Sequence, residues 1–226
     1  MSFPPALPLR LVIFDCDGVL VDSEAPSNRV VAEEVSKLGW PMTEAESMEI
    51  FVGFTLEQTA PIVQARTGRP VPDGWVEALR QRIIAVLSDE VVLVPGVREA
   101  IAAAEGLGLA CRVASNSSHR EMRAKFTRTG LTALLERAHS ADDVARGKPA
   151  PDVFLHAAAA AGISPAACVV IEDSVPGAMA AAAAGMACLG YDPQGDGARL
   201  RAAGASVFRS MTEMPALFRT AMRQAA

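Results

Sequence analysis

Residues 9–14, L-R-L-V-I-F, form a run that is apolar except at Arg10 and stops abruptly at two carboxylates one residue apart, Asp15 and Asp17, with Gly18 directly after them. A bounded run of this length, rich in β-branched and aromatic side chains, reads as a buried strand, and the helical character of the chain beyond it predicts a parallel one. In open parallel sheets ligands bind beyond the carboxyl ends of the strands. Two acids at such an end, beside a glycine that admits close backbone approach, point to chemistry rather than packing.

The same arrangement recurs. Residues 109–114 predict a strand ending in Ser115-Asn116, and residues 168–171 another ending in Glu172-Asp173; weaker strand signals lie at 137–140 and 186–190. Between them the pattern is helical at 97–105, from Ser118 (which forms a capping box with Glu121), at 152–161, at 175–184 and at 212–222. Alternating strands and helices predict an α/β fold, a doubly wound parallel sheet with a Rossmann-like core. Residues 23–90 carry no strand signal. They read as four helices: one with Val30, Val31, Val35 and Leu38 at helical spacing, stopped at Gly39; one from Thr43 with Glu46 completing a capping box; one over 55–67 after Gly53; and one over 74–88 holding Trp75, Leu79, Ile83, Ile84 and Leu87. This block is expected to be an all-helical domain inserted into a core made of residues 1–22 and 91–226. The alanine tracts at 157–161 and 180–184 read as close-packed helix faces.

Composition narrows the function classes. Of 226 residues half are hydrophobic, yet no continuous apolar stretch could cross a bilayer and no secretory signal is visible, which leads to the expectation of a cytoplasmic protein without a membrane partner. A net charge of −5 without basic clusters argues against a nucleic-acid partner. Cys16, Cys111, Cys168 and Cys188 are scattered in or beside predicted strands, as expected of buried reduced thiols. His119, His139 and His156 are isolated, with no metal-type spacing, which favours surface or core roles. Lysine occurs only at Lys37, Lys125 and Lys148, so Lys148, in the loop R-G-K-P-A-P, invites a chemical reason.

In a doubly wound sheet the polar strand ends share one edge. The four clusters in their order, D-C-D-G-V-L-V-D-S-E at 15–24, Ser115-Asn116, G-K-P-A-P-D and E-D-S-V-P-G-A, resemble the motifs of the haloacid dehalogenase-like hydrolases, in the branch of β-phosphoglucomutase and the small sugar-phosphate phosphatases. The resemblance spans residue 9 to about residue 192. It implies that Asp15 is a nucleophile forming an aspartyl phosphate. Asp17 resembles the general acid/base, a role that requires a proton at the first step and so a raised pKa or timely cap closure. Magnesium is the implied cofactor, held by Asp15, the Asp17 main-chain carbonyl and Asp173, with Glu172 either a further ligand or an acid behind them. Ser115, Asn116 and the amides near Gly18 resemble a phosphate cradle, and Lys148 a charge that neutralises nucleophile and phosphoryl oxygens. Charges facing a helix N-terminus at Glu172 and Asp173, and a turn-forming Asn116, are the plainer alternatives. Asp22 and Glu24, at the start of the helical block, fit either an orienting role or simple solvation.

The helical block corresponds to the family's cap, and Gly53, Phe54 and Thr55 align with the cap loop that meets substrate. Mutases of this branch carry a lysine and an arginine where this chain has Val52 and Leu56, and a histidine where it has Ser27. That departure favours hydrolysis of a small phosphorylated metabolite by a monomer or weak dimer. A phosphomutase and a non-catalytic phosphate-binding regulatory module are the alternatives.

Overall fold

The computed structural model describes residues 8–52 and 54–223. The first strand, β1 (Leu11–Phe14), is wholly buried, and its alternation divides the core. Val12 and Phe14 face one hydrophobic cluster and Leu11 and Ile13 the other, as a strand covered on both faces requires. After the acids the chain makes a two-residue strand, β2 (Val21–Asp22), then four helices, α1 (Glu24–Lys37), α2 (Glu44–Phe51), α3 (Leu56–Thr67) and α4 (Trp75–Glu90). It returns through β3 (Val92–Leu93), which pairs antiparallel with β2. Two-residue strands are too short to carry a periodic signal, so the sequence gives no warning of this ribbon. The capping box at Thr43–Glu46 is present, and α3 starts from a second one, Thr55 with Gln58.

The rest alternates: α5 (Val97–Gly106), β4 (Ala110–Ser115), α6 (His119–Thr129), β5 (Ala138–Ser140), α7 (Asp152–Ala160), β6 (Cys168–Glu172), α8 (Val175–Ala183), β7 (Ala187–Tyr191), α9 (Ala198–Ala202), β8 (Ser206–Phe208) and α10 (Met214–Arg223). Six strands form one parallel sheet in the order β5-β4-β1-β6-β7-β8. Residues 198–208 supply a helix and an edge strand that the sequence pattern did not mark; each is five residues or fewer. Met122 and Phe126 of α6 and Phe218 of α10 cover one face of the sheet, whereas Phe154 of α7 and the alanines of α7 and α8 cover the other. Small side chains there let two helices lie close to the sheet, as the alanine tracts predict. All four cysteines are buried and free. Among the described residues, no helix is long and apolar enough to cross a membrane.

The order of the strands places the site. From β1 the chain moves to β4 and β5 on one side, then crosses to β6, β7 and β8 on the other. The carboxyl ends of β1, β4 and β6 therefore border the switch in direction, where such sheets open a crevice.

Candidate active site

Asp15 leaves the end of β1 beside Ser115 at the end of β4 and Glu172 at the end of β6, and all three are buried. Lys148 reaches them from the loop before α7. Its Nζ lies 2.5 Å from Asp15 Oδ1 and 2.7 Å from Glu172 Oε1, and it sits 4.8 Å above the Phe154 ring. The other Glu172 oxygen accepts the Asp173 and Ser174 N–H groups and the Ser174 hydroxyl, at 2.8–2.9 Å. Glu172 thus fixes both the lysine and the turn into α8. A Cβ at Gly177 would fall 1.7 Å from the Glu172 carboxylate, which accounts for the glycine in the V-P-G-A segment.

Carboxylate oxygens of Asp15, Glu172 and Asp173 lie within 4.8 Å of one another. Three carboxyl groups face the single Lys148 ammonium, an excess of acid that a divalent cation would balance. An all-oxygen donor set suits a hard ion such as magnesium. The crowding shows in the acids themselves. Burial, together with Glu172 and Asp17 and against the pull of Lys148, pushes the Asp15 carboxyl up to about 7. Burial and the charges of Glu172 and Asp15 raise Asp173 as well.

Gly18 adopts a φ of +73°, and a Cβ there would lie 1.9 Å from Asp173 Oδ2, so both its conformation and its neighbour demand glycine. The close approach foreseen at this position is thus made by a carboxylate of the protein, and the Gly18 N–H donates to the Val21 carbonyl at 2.8 Å rather than pointing at a ligand. Asn116 likewise turns inward: its Oδ1 accepts the Lys148 N–H at 2.8 Å and its Nδ2 donates to the Lys148 carbonyl at 3.2 Å. Its side chain clamps the backbone of the lysine loop. Ser115 accepts the Ser117 N–H at 3.0 Å, which leaves its own proton to donate.

Of the two routes to a protonated Asp17, a raised pKa or cap closure, this arrangement does not give the first. Burial would raise it, but the charge of Lys125, with hydrogen bonds from Lys125, Ser23 and Ser117, outweighs burial and holds it below its ordinary value. Lys125 Nζ is 2.6 Å from Asp17 Oδ1 and 2.7 Å from Ser117 Oγ, and Ser117 Oγ donates to Asp17 Oδ2 at 2.7 Å. Ser23, the residue before α1, also donates to Asp17. Lys125 is the residue that sequence reasoning missed. The signal was there: it shares the buried face of α6 with Met122, Phe126 and Thr129, and a lysine on such a stripe needs a partner. Lys125→Met is expected to lower stability by about 2 kcal/mol in urea unfolding, less than for a fully enclosed pair because Asp17 keeps 31 % of its side chain exposed.

A cavity of about 410 Å³ opens over these groups. Asp15, Asp17, Ser115, Asn116, Lys148, Glu172 and Asp173 line its floor. Phe54 and Thr55 line it from the helical block, as do Ser27, Val52 and Leu56; Gly53 lies outside the described residues. Arg80 of α4 also lines it, with Nε 3.5 Å from Glu77 and a guanidinium nitrogen 3.4 Å from Glu121 of α6; the sequence did not single it out.

A doubly wound sheet that presents carboxylates and a lysine at one cavity floor is the arrangement of a hydrolase with an acid-centred site. The chain belongs to the haloacid dehalogenase-like hydrolases, whose family model matches residues 9–185, and within them it is a phosphoric monoester hydrolase. It is 32 % identical to hexitol phosphatase B of Escherichia coli K12 over 176 residues, 77 % of this chain and 79 % of that one. It is 28 % identical to the 6-phosphogluconate phosphatase of the same organism, over 79 % and 80 % of the two chains. A haloacid dehalogenase-like protein from Agrobacterium tumefaciens C58, of known structure, superposes with a TM-score of 0.81 at 33 % identity, covering 94 % of this chain and 98 % of that one.

Proposed function

We propose that this chain is a magnesium-dependent phosphatase that hydrolyses a small, sugar-like phosphomonoester through an aspartyl phosphate. The supporting observation is the convergence of Asp15, Lys148, Glu172 and Asp173 on the floor of one cavity beside the Ser115 hydroxyl. Relatives named for hexitol and 6-phosphogluconate phosphatase activity support the substrate class.

In this reading Asp15 attacks phosphorus, the P–O bond to the sugar breaks, and water later cleaves the acyl phosphate at phosphorus, releasing phosphate and restoring the carboxylate. Lys148 draws charge from the nucleophile and from the phosphoryl oxygens, and Ser115 donates to one of those oxygens. Asp17 protonates the departing oxygen and then takes a proton from water. For that it must trade Lys125 and Ser117 for the substrate. Asp15, the Asp17 main-chain carbonyl and Asp173 would hold magnesium, with Glu172 behind them because its oxygens already serve Lys148 and the turn into α8. Bound there, the ion supplies charge neutralisation between two anions.

Residues 23–90 act as a cap on the 1–22 and 91–226 core, with Phe54 and Thr55 reading the substrate and excluding water. Val52, Leu56 and Ser27 line the cavity without charge, which favours release of phosphate over its return to a second position.

A screen of phosphorylated metabolites with magnesium tests the reading. Phosphate release from polyol or sugar phosphates is expected; isomerised hexose phosphate would mean a mutase, and no turnover across the panel would overturn hydrolysis. Chelation with EDTA is expected to bring release to background. Magnesium restored at about a hundredfold over its Kd should stabilise the fold by about 2.7 kcal/mol, read as a higher Tm.

A further inference from the structure

The chain has three histidines, far apart in sequence, and the fold gathers all of them at one edge of the sheet. His139 lies on the edge strand β5, His156 on α7 and His119 at the start of α6, while Asp143 closes a short 3-10 turn directly after β5. One donor atom each from His139, Asp143 and His156 lies within 4.8 Å of the other two. The rings of His139 and His156 meet edge to face, with centroids 5.0 Å apart at 65°. His139 Nε2 and His156 Nδ1 are both shielded from solvent, and neither has a hydrogen-bond partner. The isolation read from the sequence is thus undone by the fold.

Buried imidazole nitrogens without partners are uncommon, because desolvation without a hydrogen bond is unfavourable. Here two of them occur in adjacent rings beside one carboxylate. That carboxylate is itself held in place: Asp143 accepts the Ser140 N–H at 2.8 Å and stands 2.8 Å and 3.0 Å from His119 Nε2 through its two oxygens. We propose that His139, His156 and Asp143 form a second metal centre, separate from the acidic site around Asp15, that binds a transition-metal ion of the zinc type.

The donor set decides the ion. Two imidazoles and one carboxylate suit zinc, whereas magnesium takes oxygen ligands. Tetrahedral bonds of about 2.0–2.1 Å place ligand atoms about 3.3 Å apart, so modest side-chain rotations draw the three together. The fourth position falls to water. His119 orients the carboxylate from outside, the kind of support that ligands commonly receive. Burial, with His156 and Arg112 nearby, lowers the pKa of His139 and keeps that ring neutral, the form that binds metal.

The position gives the centre a consequence. Asp143 and His156 stand on either side of the loop that delivers Lys148 to Asp15. An ion joining them fastens both ends of that loop, and Ser140, next to His139, already ties the same edge to the Ser117 carbonyl at 2.8 Å.

The test uses the untagged full chain, stripped of metal and returned to saturating magnesium so that the acidic site is filled. Zinc chloride is then titrated in while imidazole ¹H–¹⁵N correlations are recorded; with three histidines in the chain, every ring signal reports on this patch. The His139 and His156 ring signals are expected to shift and saturate at one equivalent. After gel filtration, His156→Ala and His139→Asn should each retain one equivalent of zinc fewer than the parent, with unchanged amide spectra. Ring signals that zinc leaves unmoved would overturn the proposal. So would folded variants that retain as much zinc as the parent, since binding would then lie at the carboxylates around Asp15. Failure of one variant to fold leaves the other variant and the titration to decide.

Discussion

Asp15→Asn is expected to reduce phosphate release by about 10³-fold or more, in a protein that still folds. The amide matches the carboxyl in shape but cannot attack phosphorus. The fold should tolerate the change because burial, with Glu172 and Asp17, already pushes this carboxyl up to about 7 against the pull of Lys148, so a neutral group is not foreign to the site. The amide oxygen can still accept from Lys148, and Glu172 keeps its own contact with that lysine at 2.7 Å. Release from the preferred ester and the urea midpoint, measured side by side, check both halves. Full turnover in this variant would assign the nucleophile to another residue.

Lys148→Met carries the second large effect, and here stability and turnover should fall together. The ammonium is nearly enclosed, with 4 % of its side chain exposed against 9 % for Asp15 and 0 % for Glu172. Methionine fills similar space over the Phe154 ring but leaves two buried carboxylates without their partner. Breaking such a pair costs about 3 kcal/mol or more. Removal of a charge aimed at the reacting group should lower turnover by about 10²- to 10³-fold. Urea unfolding reports the first and steady-state release the second. Magnesium should restore part of the stability but not the rate, because it offsets the excess negative charge without replacing the lysine contact. A variant as stable and as active as the parent would show that Lys148 does not serve this cluster.

The two lysines that matter illustrate what a sequence displays. Lys148 was visible because it sits in a loop between two prolines and a glycine, with no local structure to explain it. Lys125 was not, because the middle of a helix is an ordinary place for lysine; only its neighbours Met122 and Phe126 mark that face as buried. Its partner Asp17 is 108 residues away in the chain. Asn116 was legible as a polar residue at a strand end, but its two bonds to the Lys148 backbone depend on how that loop folds back. The β2–β3 ribbon had no sequence signature at all, since pairing of two-residue strands depends on chain ends that the helices bring together.

By itself the sequence determined the longer elements and their polar ends. Hydrophobic period, capping boxes and strand-terminating acids act over a few residues, so they can be read before any contact is known. Only the tertiary structure decided which of those ends meet and with what: Asp17 with Lys125, and three scattered histidines at one sheet edge. The order of strands in the sheet sets those meetings, and it is fixed by packing on both faces of the sheet rather than by any local pattern.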